Sequence, residues 1–233
     1  MRIRGARRRL AIDTPVYLTP YAPAAERCGI TQAVRYIRRR ERVDQSPNTD
    51  GWCRYLSVQE LGELLERDWY VGLVQRGIGS GPWRTAADGR ALGLAAGRNA
   101  QGLGIPAGAS IGCDCEWATP PGPAEIRDYL DAWGAAVDGL GYTPALYVST
   151  DVDVLGREGL YRRPSFRGYW GSASAVSGVA VRGYQIRQTL QYDLRTDGSL
   201  HPVSSWKECK GAVCDLDVMQ IDGRGDRWQM IAA

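Results

Sequence analysis

The sequence predicts an α/β protein: one barrel domain of alternating strands and helices, with its late helices abbreviated. Three observations point there. Short apolar, strand-like runs alternate with amphipathic helical ones, the pattern of a parallel sheet covered by helices. At 233 residues and 44% hydrophobic composition the chain is long enough for one large domain. Too few residues separate the last strands for full helices to stand between them.

In order, "RLAIDT" reads as a first strand ending near Asp13, and "TQAVRYIRR" as a second, rich in β-branched and aromatic residues. "SVQELGELLERD" opens on Ser57 with Glu60 three residues on, a capping-box start to a helix. "WYVGLVQR" is the third strand, and "TAADGRALGLAAGRNAQGLG" a helix that stops at Gly104 before Pro106. "ASIGCDCE" is the fourth strand. "GPAEIRDYLDAWGAAVDGLG" is the clearest helix, with Pro123 in its first turn and Gly141 past its end. "TPALYVST" is the fifth strand, followed by a short helix around 152–155. "RGYWGSA", "VAVRGYQIRQ" and "AVCDLDVMQI" complete eight, with an Asp197-Gly198 turn between the last two. Residues 1–9 are expected as a basic tail and 10–233 as the barrel domain.

Composition narrows the classes of function. The net charge is +3, and all but Lys207 and Lys210 of the 29 basic residues are Arg. The clusters Arg7-Arg8-Arg9 and Arg38-Arg39-Arg40 with Arg42 read as solvated surface; no aromatic stacking module accompanies them, so nucleic acid is not an expected partner. No stretch nears the roughly 20 apolar residues of a membrane span, and no secretory signal is expected from the first residues. With one histidine, His201, and the spacings Cys113-x-Cys115 and Cys209-x4-Cys214, the six cysteines do not make a zinc framework. No metal and no cofactor are expected. Cys113 and Cys115 read as core residues. Cys209 with Cys214 is open as a disulfide, and Cys28 with Cys53 more weakly so. "RGIGSGPW" lacks the lysine of a P-loop and reads as an irregular loop.

The chemistry is expected at the C-terminal ends of the strands. Asp13, Asp114, Glu116 and Asp215 all fall at or near such ends. Side chains alternate along a strand, so Asp114 and Glu116 share one face while Cys113 and Cys115 share the other. Neighbouring carboxylates repel, and burial further disfavours charge, so one is expected to hold its proton near neutral pH. An acid beside a carboxylate is the equipment for cleaving a glycosidic bond. Trp117, Tyr147, Trp170 and Tyr184 are candidates to stack on sugar faces, and Gln185 and Gln188 to bond hydroxyls.

The segments "AIDTP", "VRYIRRR", "CDCEWA", "ALYVST", "YWGSAS", "GYQIRQ" and "CDLDVMQ", in that order, resemble the glycoside-hydrolase-like barrel domain of unknown function (DUF1906) of actinobacteria. They also resemble the related family 25 muramidases, the Chalaropsis-type lysozymes. The resemblance runs from about residue 10 to residue 222. It implies a TIM-like (β/α) barrel with several late helices missing. It further implies Glu116 as general acid and Asp114 as its partner carboxylate. Asp13 and Asp215 match acidic positions on the first and last strands, and Tyr147 matches a tyrosine near the cleaved linkage. Asp13-Thr14-Pro15 departs from the muramidases' Asp-x-Ser, and Tyr184 from the tryptophan usual before Gln185.

The leading expectation is therefore a lysozyme-like glycosidase acting on cell-wall peptidoglycan. The alternative is a catalytically idle barrel that holds the glycan, for instance in a phage tail beside other virion proteins. Either suits a phage-encoded protein that reaches the wall by lysis or within the virion.

Overall fold

The computed structural model describes residues 1–7, 9–41, 49–50, 53–76, 81–82, 85–114, 118–119, 123–148, 165–172, 184–204, 209–222 and 225–233. In chain order the strands are β1 (Arg2–Gly5), β2 (Leu10–Thr14), β3 (Gln32–Ile37), β4 (Thr49–Asp50), β5 (Cys53–Arg54), β6 (Tyr70–Gln75), β7 (Gly81–Pro82), β8 (Ser110–Asp114) and β9 (Ala118–Thr119). They continue with β10 (Thr143–Val148), β11 (Gly168–Gly171), β12 (Ile186–Leu194), β13 (Leu200–Pro202), β14 (Ala212–Met219) and β15 (Gln229–Ala232). The helices are α1 (Ala22–Arg27), α2 (Val58–Glu66), α3 (Ala86–Gly102) and α4 (Pro123–Gly139). Among the described residues none follows α4.

Eight of these strands close a ring: β2, β3, β6, β8, β10, β11, β12, β14 and back to β2. Six neighbouring pairs are parallel, from β2/β3 round to β11/β12. The last strand departs from the expected all-parallel barrel, because β14 runs antiparallel to both β12 and β2. The reason is local. β12 is nine residues long and turns back through Asp197-Gly198, with Gly198 at φ 92°, into β13, which pairs with it antiparallel. Among the described residues no crossover helix stands between β12 and β14 to carry the chain back to the start of a parallel strand.

The helices are where their capping signals put them. Ser57 accepts a hydrogen bond from the Glu60 N–H at 3.1 Å. The expected reciprocal arm does not form, because the Glu60 carboxylate goes into the core to meet Arg35 at 2.9 Å, both side chains fully buried. That ion pair ties the first loop to the barrel: Glu60 accepts from Leu18 N–H, and Arg35 donates to the carbonyls of Thr14 and Arg54. The reciprocal capping box belongs instead to Thr85 and Asp88 at the start of α3. α3 and α4 pack closely because Gly89, Gly93 and Gly97 line one face of α3. A Cβ at Gly93 would sit 2.5 Å from the Trp133 carbonyl oxygen. Gln75 at the end of β6 anchors both helices, accepting from Trp133 Nε1 at 2.7 Å and donating to the Leu92 carbonyl at 2.8 Å.

The alternation of the strands splits the core into two parts. Ile12, Leu73, Ile111, Cys113 and Leu146 face the helices. Ala11, Val34, Val74, Ala145, Trp170, Ile186 and Met219 face the barrel axis. The floor of the barrel is filled by the chain's last segment. Trp228 enters where Gly72 and Gly112 leave room; a Cβ on either would lie 3.1 or 3.2 Å from its ring. Residues 2–5, within the stretch expected as a basic tail, form β1, which pairs along its length with β15 below this plug.

The cysteines outside the undescribed stretches are thiols, so neither Cys209–Cys214 nor Cys28–Cys53 is a disulfide. Cys28 Sγ donates to the Gly198 carbonyl at 3.2 Å and Cys214 Sγ to the Tyr192 carbonyl at 3.7 Å.

Candidate active site

The mouth of the barrel is set by β2, β8 and β10, which deliver Asp13, Asp114 and Tyr147 from their C-terminal ends. On β8 the alternation works as expected. Cys113 packs toward the helices, and Asp114, two residues beyond axis-facing Gly112, shares the axis face. Asp114 is buried and stands in register with Tyr147 on β10.

Asp215 reaches the same rim by another route. It lies in the N-terminal half of β14, and the antiparallel direction of that strand sets it directly across from Asp13. A reversed strand presents its beginning where its neighbours present their ends. Two residues on, Asp217 shares the Asp215 face one level deeper and is fully buried.

One glutamine connects these groups. Gln188 Nε2 donates to Asp13 Oδ2 at 3.1 Å and to Asp215 Oδ2 at 3.0 Å. Its Oε1 accepts from the Tyr147 hydroxyl at 2.9 Å. Beneath, Trp170 Nε1 donates to Asp217 Oδ1 at 3.0 Å. The Trp170 ring meets Tyr147 edge-on at 4.5 Å and Trp228 at 6.3 Å. The mouth is thus a hydrogen-bonded layer of acids resting on an aromatic layer.

Burial sets the charge states. Desolvation raises the Asp215 carboxyl to about 6, against the opposing hydrogen bond from Gln191. Asp217 is pushed well above the ordinary carboxylate range, first by burial and then by the charge of Asp215, while its bonds with Trp170 and Asp13 pull the other way. Burial, with Asp13 and Asp215 nearby, also pushes the Cys214 thiol up, so it stays protonated. Asp215 at the rim and Asp217 beneath it therefore both hold a proton to higher pH than ordinary carboxyl groups, the kind of tuning that acid catalysis by carboxyl groups uses.

Other expected site residues lie elsewhere. Tyr184 and Gln185 precede β12, whose first residue pairs with the last residue of β14, at the floor end of the barrel. The strand was expected over 179–188 and starts instead at Ile186, which moves both residues away from the mouth. There Gln185 donates to Asp222 Oδ2 and the Arg167 carbonyl, both at 3.1 Å, and holds floor loops together. Trp170 is 1% exposed, so its faces are taken by packing inside the barrel rather than offered to a sugar. Glu116 and Trp117 lie outside the described residues, as do Cys115 and the expected short helix around 152–155. Asp217 was missed, although its Asp-x-Asp spacing with Asp215 carries the same one-face signal as Asp114-x-Glu116. Among the described residues no group of His, Cys, Asp and Glu is placed to hold a metal ion. None of the described helices is long and apolar enough to cross a membrane.

A family model for the Rv2525c-like, glycoside hydrolase-like domain matches residues 24–221, from α1 to just past β14. The chain belongs to that family. No curated protein matches the sequence. Three solved structures share the fold of this Rv2525c-like domain. An uncharacterized B. stearothermophilus protein is 13% identical with a TM-score of 0.59, covering 91% of this chain and 95% of that one. The catalytic domain of endolysin ply40 from bacteriophage P40 of Listeria monocytogenes is 13% identical with a TM-score of 0.51, covering 93% and 95%. The modular autolysin LytC from Streptococcus pneumoniae, in complex with a synthetic peptidoglycan ligand, is 10% identical with a TM-score of 0.54. It is covered over 48% of its length by 92% of this chain. The Rv2525c-like domain is thus a closed α/β barrel whose fold is shared by the ply40 catalytic domain and by LytC.

Proposed function

We propose that the domain is a glycoside hydrolase that cuts β-1,4 links of bacterial cell-wall glycan next to N-acetylmuramic acid. The observation that carries this reading is the meeting of Asp13, Asp215 and Tyr147 on one amide at the barrel mouth, with Asp114 on the same rim. The family, and the endolysin and autolysin domains that share the fold, support it.

In this reading the Glu116 carboxyl protonates the glycosidic oxygen as the bond to the anomeric carbon breaks. The sugar's own acetamido oxygen attacks that carbon, and Asp114 orients the acetamido group. Water then opens the cyclic intermediate and returns a proton to Glu116. Asp13 and Asp215 supply negative charge toward the developing oxocarbenium-like centre, and Tyr147 borders the cleaved linkage. Trp117 is the remaining aromatic proposed to stack on a sugar.

The test is release of reducing sugar from purified peptidoglycan. The Glu116→Gln chain is expected to lose on the order of 10²- to 10⁴-fold, the contribution of a positioned general acid. Undiminished release would remove Glu116 from that role. The second reading, an idle barrel that holds glycan, is favoured by one observation: Gln188 already occupies oxygens of Asp13 and Asp215. Binding without release by both chains would establish it.

A further inference from the structure

We propose that the underside of the barrel is a docking face for the surface of an anionic lipid bilayer. Five exposed arginines, Arg2, Arg4, Arg7, Arg9 and Arg227, lie on the segments that close the floor. Five others are neutralised: Arg35 by Glu60, Arg67 by Glu26, Arg98 by Glu41, Arg167 by Asp138 and Arg195 by Asp193. None of the floor arginines has a carboxylate partner among the described residues. The registers put three of them on one face. Arg2 and Arg4 stand opposite Ala232 and Met230. β15 pairs with β6 at Ile231 and Val71, and the same register sets Ala232 beside Tyr70 and Met230 beside Gly72. Cross-strand partners share a face, and the Arg7 guanidinium lies over the Tyr70 ring at 4.3 Å. Arg2, Ala232 and Tyr70 thus form a row about 10 Å across, with a guanidinium at each end. Arg4 stands on the next row, and neither row carries an acidic side chain.

The arrangement is held in place. Gln32 accepts from the Arg7 N–H at 2.8 Å and donates to the Arg7 carbonyl at 3.1 Å. The Arg227 stem lies against Gly5, where a Cβ would come within 3.0 Å of it. The acids of this end are engaged or lie off the rows. Glu26 and Asp138 are in the ion pairs above, and buried Asp222 accepts from Gln185 and from the Asp226 N–H. Glu66, Asp68 and Asp226 are exposed outside the two rows. Apolar surface chooses a bilayer over a soluble polyanion. Among the described residues Met1, Leu10, Val58 and Val218 are the exposed large apolar side chains. Leu10 and Val218 are partners in register beside Arg9, and Met1 leads into β1. Arginines with apolar side chains among them suit a layer of anionic headgroups over acyl chains. A water-soluble polyanion would leave those side chains in water. Protection of an edge strand explains charge on β1 but not Arg7, Arg9 and Arg227, which lie off it. Docked by its underside, the barrel turns its mouth away from the bilayer.

The test is flotation of the full chain with vesicles, which needs no cleavage of glycan and so stands or fails apart from the proposed function. The native chain should float with phosphatidylcholine vesicles holding about one-third phosphatidylglycerol, and not with phosphatidylcholine alone. The bound fraction should fall from about 0.05 M to about 0.5 M salt as screening shortens the reach of the charges. Arg2 and Arg4 are exposed, so replacing them leaves the fold intact. Arg2→Gln with Arg4→Gln should weaken binding about twenty-five-fold, about fivefold for each charge. Arg2→Lys with Arg4→Lys keeps both charges and should bind within about twofold of the native chain. Leu10→Gln should weaken binding to the vesicles and leave binding to inorganic polyphosphate unchanged. Equal flotation with phosphatidylcholine alone, or a Gln double variant that floats like the native chain, would overturn the proposal. So would a Lys double variant as weak as the Gln one. A native chain that binds polyphosphate but no vesicle would mark a face for soluble polyanions instead, and a native chain that binds neither would mark a merely solvated one.

Discussion

Asp215 makes the stability of the domain depend on pH in a direction opposite to most surface acids. Burial raises its carboxyl from 3.8 to about 6 in the folded protein. The folded state therefore holds a proton that the unfolded state releases. Its favourable contribution is complete below about pH 4 and is lost as pH rises through about 6. A shift of about 2 units corresponds to about 3 kcal/mol of stability lost over that interval. For a domain of this size that equals roughly 6–12 °C in Tm. Asp215→Asn removes the titration and keeps an oxygen able to accept from the glutamines. The variant and the native chain should therefore melt nearest each other at pH 4, and the variant should gain on the native chain by roughly that interval at pH 8. Acids distant from Asp215 titrate alike in both proteins and cancel in the difference; Asp217, which the Asp215 charge raises, is the one neighbour that does not. Thermal unfolding followed by circular dichroism at four or five pH values measures it. Parallel Tm curves across the whole range would refute the claim that Asp215 is desolvated at the mouth.

Further outcomes follow from packing and pairing. Gly93→Ala gains about 1 kcal/mol of helix propensity but forces a methyl onto the Trp133 carbonyl, an overpacking that costs about 1–3 kcal/mol, so chemical denaturation should show a net loss. Gly62→Ala in α2, with open space around it, should gain up to about 1 kcal/mol in the same assay. Glu60→Leu strands the buried Arg35 charge and should cost about 3–5 kcal/mol, and adding Arg35→Met should return part of it. Trp228→Ala empties the barrel floor and should cost about 3–5 kcal/mol. A midpoint shift near zero for that variant would contradict its role as a plug.

The legible parts of this fold are those whose signal is local. β2, β3, β6, β8 and β10 were readable because each is a short apolar run between turn residues. α3 and α4 were readable because Pro123, Gly104 and Gly141 mark their ends. The direction of β14 was not readable, since a strand's alternation is the same whichever way it runs. The clue lay in the spacing: the Asp197-Gly198 turn returns β12 upon itself and leaves no room for a crossover. β12 itself was set too early because "VAVRGYQIRQ" begins with apolar alternation, and that one misplacement carried Tyr184 and Gln185 to the wrong end of the barrel. β1, in "RIRG", was hidden by its charges, as edge strands often are.

At the mouth, the face shared by Asp114 and its neighbours was legible from period two. Asp215 was placed at the right rim although the expected direction of its strand was wrong, because its position early in β14 offsets the reversal. Gln188, the residue on which Asp13, Asp215 and Tyr147 converge, carried no signal beyond its polarity. Its place depends on the irregular register between Gln188 and Gln191, which only the paired strands reveal. Asp217 was legible in principle and overlooked, because attention went to the acid pair on β8.

The reversed last strand also decides where residues 1 and 233 come out. Since β14 descends, the chain leaves it beneath the barrel, inserts Trp228, and finishes in β15 paired with β1 on one side and with the start of β6 on the other. The first and last residues are consequently neighbours on the face opposite the acids. An affinity handle, a fluorophore or a fused module attached at either end will hang from the underside, away from the carboxyl groups.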